Sequence, residues 1–374
     1  MRILLTFAFA MVAGVAVAED APRARDIGVP FSGTPGPLNA ITDVAGVTVG
    51  HETIIRDLRG SRAARTGVTA ILPRGRESFS KPAFGGFFSL NGNGEMTGTH
   101  WVEESGYLEG PVMITNTHSV GAVHEGVIKW RVAQAGPDTT GYWWSLPVVA
   151  ETWDGHLNDI NGFHVTAKDA GRALDAAVDG SVMEGNVGGG TGMICHEFKC
   201  GIGTSSRVTG DYTVGVLVQA NYGARSELRI AGVPVGKHLT EDLAYDEPQG
   251  DTGSIIIVIA TDAPLLPHQL KRLARRATLG LGRMGSYAGN GSGDIFIAFS
   301  TALMNDSDTA YIDEPLANHL LDPVFIGVAE ATEEAIVNAM VAARNMTGDL
   351  GHRAVAINHE ELRAVLKQYG RLDE

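Results

Sequence analysis

Asp246-Glu247-Pro248-Gln249-Gly250-Asp251-Thr252-Gly253-Ser254-Ile255-Ile256-Ile257-Val258-Ile259 is the stretch on which the reading of this chain turns. Its first half is acidic and rich in turn formers, and its second half is an apolar, β-branched run of strand length. A serine therefore heads a buried strand directly after a loop. Breaking the Gly253–Ser254 peptide would make Ser254 a new N-terminus, with a hydroxyl nucleophile and an α-amine on one residue, and a neighbouring amine is one of the groups that activate a hydroxyl. Glycine before the bond suits this, because the missing Cβ permits strained backbone and lets a hydroxyl approach the carbonyl.

The same residues carry two other readings. Asp251-Thr252-Gly253-Ser254 is also the signature of aspartic proteases, in which two carboxylates share a proton. That chemistry needs a second Asp-Thr/Ser-Gly copy in a chain of this length, and there is none. An ordinary loop-to-strand turn also fits four such residues taken alone, so the remainder of the chain has to decide.

At 374 residues and 44% hydrophobic content, with mean hydropathy near zero, the composition is that of a soluble globular protein able to bury a large core. Arg2, an apolar stretch over 3–17 and the small residues Ala16-Val17-Ala18 read as a secretory signal at 1–18, too short for a membrane anchor. The mature protein is thus expected in the periplasm or outside the cell, with no membrane anchor once the signal is removed. Net charge is −14 at pH 7, and one unit more negative without Arg2. Such acidity argues against nucleic acid as a partner and favours the approach of free amines. Cys195 and Cys200 are the only cysteines; in an oxidising compartment they are a candidate short-loop disulfide, with buried free thiols as the alternative. No metal-ligand spacing such as His-Glu-x-x-His occurs, so neither metal nor cofactor is implied.

Periodicity places a strand at 67–73, another at 111–116 followed by a helix bearing Val120, Val123, Val127 and Trp130 on one face, and a third at 213–218. Pro267 opens a helix whose Leu270, Leu273, Ala274 and Ala277 face inward. A strand follows at 293–303. Thr332 is read as the N-cap of a helix that starts with Glu333 and Glu334. Asn358 caps the last helix, whose face is Leu362, Val365, Leu366 and Tyr369 and whose stop is Gly370. Irregular alternation of strands and helices predicts a layered α/β architecture with sheet between helices.

Further candidates for chemistry lie at strand ends. Gly289-Asn290-Gly291-Ser292-Gly293-Asp294 opens the strand at 295–299, and Ser292 and Asp294, two residues apart, point to one side. Asn221 at the end of another strand offers an amide for an oxyanion. Glu151-Thr152-Trp153 sets a carboxylate beside an aromatic after the apolar run at 146–150. The glycines at 188–192 lack the Lys-Ser/Thr pair of a phosphate loop and read as close packing near the site.

Together these motifs resemble the L-aminopeptidase/D-esterase-amidase family, which includes the bacterial β-peptidyl aminopeptidases. The strings that carry the resemblance span essentially the whole mature chain: NAITDVAGVTVGHET at 39–53, TNTHSVG at 115–121, LPVVAETWDGHLND at 146–159, EGNVGGGTGMICHEFK at 184–199, QANYG at 219–223, Gly253-Ser254, and GNGSGDIFIAFSTA at 289–302. The resemblance implies a four-layer αββα sandwich, similar to N-terminal nucleophile hydrolases but connected differently. It implies a precursor that cuts itself into an α chain (19–253) and a β chain (254–374) that stay associated as one catalytic domain, with a homo-oligomer of that αβ unit expected. It implies Ser254 as nucleophile, assisted by Ser292 and Asp294, with Asn221 in the oxyanion hole, and Glu151 beside Trp153 binding the free amine of a small peptide or amino-acid amide. Some members carry Glu at position 294 and Tyr at position 153, so the reach of the acid and the shape of the pocket differ here. The proton of Ser254 has two candidate acceptors, its own α-amine and Ser292. Rival expectations are an acyltransferase of the ornithine-acetyltransferase type, against which Ser rather than Thr at 254 argues, and an exported binding protein that keeps the fold without catalysis.

Overall fold

The computed structural model describes residues 21–134, 144–247, 250–302 and 314–372; the expected leader at 1–18 lies outside them, as do Pro248 and Gln249 of the acidic loop. In chain order, β1 (Thr48–Asp57) and β2 (Ala63–Arg76) form an antiparallel pair, followed by β3 (Ala83–Gly92), α1 (Thr99–Ser105) and β4 (Tyr107–Leu108). Next come β5 (Val112–Asn116), α2 (Val120–Gln134), β6 (Val148–Thr152), α3 (Ala167–Asp175) and a short hairpin of β7 (Ile194–Cys195) and β8 (Phe198–Lys199). Strands β9 (Ile202–Thr209) and β10 (Tyr212–Asn221) lead through the acidic loop to β11 (Ser254–Thr261). Then follow α4 (Pro267–Arg283), β12 (Gly293–Ser300), α5 (Asp322–Val341), the small pair β13 (Met346–Thr347) and β14 (Arg353–Ala354), and α6 (His359–Gln368).

The strands form two main sheets, in the orders β1-β2-β5-β6 and β4-β3-β12-β11-β10-β9. Helices α2 and α3 cover the outer face of the first, and α4 and α5 cover the outer face of the second. Between the sheets, Ile71, Ile114 and Ala150 meet Leu217, Ile256 and Ile297. The result is the four-layer αββα sandwich, in which β11 sits inside its sheet and is covered on both faces. Ile255, Ile257 and Ile259 enter the helix-side core while Ile256, Val258 and Ala260 enter the inter-sheet core. An uninterrupted apolar run is what a strand buried on both faces requires, and each isoleucine so buried contributes roughly 1.5–3 kcal/mol.

Strands β11 and β12 are parallel and joined through α4, whose Leu270, Leu273, Ala274 and Ala277 are buried as the periodicity requires. In α6, Asn358 accepts from the Glu360 and Glu361 amides, and Gly370 takes a positive φ of 62° at its end. The expected N-cap at Thr332 is not one. Helix α5 begins ten residues earlier at Asp322-Pro323 and runs through Thr332, which is fully buried. An acid and a proline at the start of a helix satisfy the same first-turn preferences that made Glu333 and Glu334 look like a beginning.

The segment before β1 is tied to α5 by charge. Arg25 and Arg207 (β9) both pair with Glu334, at 2.7 Å each, and Asn39 donates to the same carboxylate at 2.6 Å.

Candidate active site

Ser254 is the first residue of β11 and stands opposite Asn221, the last of β10, in antiparallel register. Strand alternation turns Ser254 to the inter-sheet face with Ile256, and Asn221 to the same face with Leu217 and Gln219. Gly253 packs so tightly on β10 that a Cβ there would lie 1.9 Å from the Asn221 carbonyl oxygen, so no other residue fits before the bond. The Ser254 hydroxyl oxygen accepts a hydrogen bond from the Gly293 amide at 3.1 Å. Asn221 is fixed at both ends of its amide: Oδ1 accepts from the Ile194 amide and Nδ2 donates to the Trp153 carbonyl, both at 2.9 Å. An amide nitrogen carries two hydrogens, and this geometry uses one of them among the described residues.

Ser292 donates to Asp294 Oδ1 at 2.6 Å, and both are fully buried. The parallel register sets Asp294 beside Ile255, one residue past Ser254. Burial pushes the Asp294 carboxyl up to about 7; the Ser292 hydrogen bond works against the rise and the charge of Asp251 adds to it. Among the described residues the Ser292–Asp294 pair makes no hydrogen bond to the Ser254 hydroxyl, and the intervening Gly293 amide is the link.

In the sequence Asp251 stands in a turn and in an aspartic-protease-like signature; in the structure it clamps the segment before the bond. Its carboxylate accepts from the Gly223 amide (3.0 Å), the Ser286 hydroxyl (2.7 Å) and the Tyr287 amide (3.2 Å). Beside it the buried Tyr222 hydroxyl has no partner among the described residues, and burial, with Asp251 and Asp294 nearby, holds its pKa well above the usual phenol value.

Glu151 reaches the same place from the other sheet, at the end of β6. Its Oε1 accepts from the Glu95 amide at 3.0 Å and its Oε2 from the Thr117 hydroxyl. Burial raises its pKa; the Thr117 and Glu95 amide bonds work against the rise, and the Glu95 charge adds to it. A cavity of about 650 Å³ is lined by Glu151, Asn221, Gly253 and Ser254 together with Trp153, which is 47% exposed and stands at its rim. Such a volume suits a small ligand. Ser254, Asn221, Glu151 and Trp153 therefore converge as read from the sequence, while Ser292 and Asp294 lie beneath them. Glu95, Thr117, Asp251 and Gly293, which make the contacts just described, were given no site role in the sequence; Thr117, Asp251 and Gly293 lie inside the stretches quoted there and Glu95 does not.

The Cys195 and Cys200 sulfurs are bonded to each other. The glycine-rich loop packs over Lys199, a fully buried amine that donates to the Met193 carbonyl at 2.9 Å and to the Cys200 carbonyl. Among the described residues no group of three or more His, Cys, Asp or Glu side chains could hold a metal ion.

A family model described as Peptidase family S58 matches residues 39–354. Two curated relatives are both named Beta-peptidyl aminopeptidase BapA. The one from Sphingosinicella microcystinivorans is 53% identical, over 97% of this chain and 96% of the relative. The one from Sphingosinicella xenopeptidilytica is 48% identical, over 92% and 91%. Among solved structures, the L-aminopeptidase D-Ala-esterase/amidase from Ochrobactrum anthropi is 52% identical, with a TM-score of 0.86 over 94% of this chain and 99% of the other; it is described as a prototype for the serine aminopeptidases and a new variant among the Ntn hydrolase fold. A β-aminopeptidase from Burkholderia sp. is 47% identical, with a TM-score of 0.84 over 93% and 99%.

Proposed function

The chain belongs to peptidase family S58, and from that premise we propose that Ser254 is its nucleophile, released when the chain cuts itself between Gly253 and Ser254. The protein is a hydrolase of the serine aminopeptidase and amidase type. The proposed precursor comprises a leader at 1–18, an α chain at 19–253 and a β chain at 254–374, and the mature αβ unit works in the periplasm or outside the cell. Among the described residues no helix is long and apolar enough to cross a membrane.

In this reading a short peptide or amino-acid amide, β-amino acids included, places its ammonium against Glu151. Ser254 attacks the first amide carbonyl, and the negative oxygen that forms is met by the unspent hydrogen of Asn221. The Ser254 proton passes to the residue's own new α-amine in its neutral form, which becomes the ammonium. Ser292 has given its hydrogen to Asp294, so its oxygen is left to accept from that amine and hold it. The leaving amine takes the proton, and water then releases the acyl group from Ser254.

The observation that carries this reading is the register: Gly253–Ser254 heads a buried strand directly opposite Asn221 and opens on the cavity that holds Glu151. Purified protein should run as two chains, the smaller beginning Ser-Ile-Ile-Ile, and Ser254→Ala should remain one inactive chain. A fully active enzyme made of one uncut chain would overturn the proposal.

A further inference from the structure

We propose that Glu197 is a second cation-binding carboxylate of the active-site cavity, selecting substrates whose leaving half carries an ammonium or guanidinium side chain. This rests on the reading of Ser254 and Glu151 given above and extends it to the other end of the substrate.

Strands β7 and β8 pair Ile194 with Lys199 and Cys195 with Phe198, so His196 and Glu197 form a two-residue turn. Both take left-handed backbone, with φ of 47° and 60°. Tight hairpins normally fill those positions with Asn and Gly, because side chains are strained there. Here the surroundings hold the turn regardless. The Cys195–Cys200 disulfide straddles it, the His196 amide donates to the Tyr222 carbonyl at 2.6 Å, and Arg225 donates to the His196 and Glu197 carbonyls at 2.8 Å each. Strain kept by so many restraints is a feature of sites where one side chain must be delivered.

The side chain delivered is an acid without a partner. Glu197 lines the cavity and is 2% exposed, yet among the described residues its carboxylate accepts no hydrogen bond, and Oε2 is both closed to solvent and unpaired. Buried carboxylates are ordinarily paired. Arg225 offsets the charge from nearby, but among the described residues its hydrogen bonds all go to backbone carbonyls, those of His196, Glu197, Leu239 and Glu241. Among the described residues the cavity wall carries Glu95, Glu151 and Glu197 and neither lysine nor arginine.

Placement assigns the two ends. Ser254 lies on β11, between β12 and β10. Glu151 belongs to the β12 flank: a Cβ on Gly94 would touch both Glu151 Oε1 and the Cα of Gly293, the first residue of β12. Glu197 belongs to the β10 flank, its turn hydrogen-bonded to Tyr222 just past Asn221. An amide with its ammonium at Glu151 and its carbonyl at Ser254 therefore runs its leaving half toward Glu197. A peptide with lysine or arginine as its second residue fits that span.

The test compares kcat/KM for three C-terminally amidated dipeptides that differ only in the second residue: lysine, norleucine and Nε-acetyl-lysine. The purified two-chain enzyme should prefer lysine over both neutral analogues by about tenfold or more, as a charge-assisted hydrogen bond to a buried acid implies. Glu197→Gln should bring the lysine/norleucine ratio close to one, and Glu197→Asp should restore part of it, which a merely structural role would not do. Equal rates on all three substrates with wild-type enzyme, or an undiminished ratio in Glu197→Gln, would overturn the proposal. If the variants fail to accumulate, the wild-type preference for lysine over both analogues decides the matter alone. N-acetylation of the norleucine dipeptide separates the two readings: loss of hydrolysis keeps the Glu151 reading whatever Glu197 does, whereas equal hydrolysis overturns both.

Discussion

Two buried polar clusters in this molecule are built on opposite plans. Around Glu334, an acid is surrounded by cations: burial pushes its pKa up, but Arg25 and Arg207, with Asn39, outweigh burial and hold it below the usual value. Beneath Ser254, acids lie near acids: burial pushes Asp294 up to about 7, the charge of Asp251 adds to the rise, and no lysine or arginine forms an ion pair with either among the described residues. Polar atoms are also left over there, since Asp294 Oδ2 and the Tyr222 hydroxyl are buried without partners among the described residues. The first cluster joins the N-terminal segment and β9 to α5, elements on either side of the proposed cut, and so is suited to holding two chains together. The second is unbalanced in a way that one added positive charge would correct, and a new α-ammonium on Ser254 is such a charge. Satisfied clusters fix a fold; unsatisfied ones at a cavity mark where chemistry is to be done.

The contrast can be broken most forcefully at Glu334. Glu334→Ala leaves the guanidinium of Arg207, 1% exposed, without its main partner, and breaking such a buried pair costs about 3–5 kcal/mol. Thermal or denaturant unfolding should show that loss, while turnover per folded molecule stays within about twofold. Unchanged stability would mean that the pair is no staple. Next in size is Asn221→Ala, which acts on the other plan: kcat should fall about a hundred- to a thousandfold with KM little altered, since the amide serves a charge present only at the tetrahedral stage. A change confined to KM would place Asn221 in substrate binding instead.

What was legible in the sequence follows the same division. Strand β11 was readable from its isoleucines, α4 and α6 from their stripes (though Tyr369, read as part of the α6 face, is exposed just past the helix end), and α6 also from its cap, because burial and local hydrogen bonding write themselves into neighbouring residues. Ser254, Asn221 and Glu151 were readable because they end or begin such strands within recognisable strings. Thr332 misled because a helix interior and a helix start can share local residues, and only packing of α5 against β9 and β10 separates them. The roles of Glu95, Asp251 and Gly293 depend on cross-strand register and on backbone amides, which carry no side-chain signature. Glu197 was hidden more deeply still, since nothing in His-Glu announces a left-handed turn.

The smallest predicted effect is a pH dependence, and it distinguishes the clusters by sign. The Asp294 carboxyl has a folded pKa of about 7, above the roughly 3.9 of an unfolded aspartate, so the folded state holds this proton more tightly. Its contribution to stability is therefore full below pH ~4 and is lost as pH rises to about 7. Glu334 lies below its unfolded value, so its contribution is present above pH ~4 and lost on acidification. The comparison belongs in the uncut Ser254→Ala chain, where no new ammonium neutralises Asp294. Adding Asp294→Asn to that chain should raise its Tm relative to the parent progressively between pH 4 and 7, by on the order of a few degrees, with no further gain above. Asp154 and Glu184, also raised to about 7 by burial, slope both proteins alike and cancel in the difference. In the cut wild type the same substitution should show a weaker dependence or none, because the α-ammonium of Ser254 draws the Asp294 pKa back down. Equal pH dependence in the cut and uncut forms would show that the new amine does not settle beside Asp294, and the acid would then have to serve Ser254 through Ser292 alone.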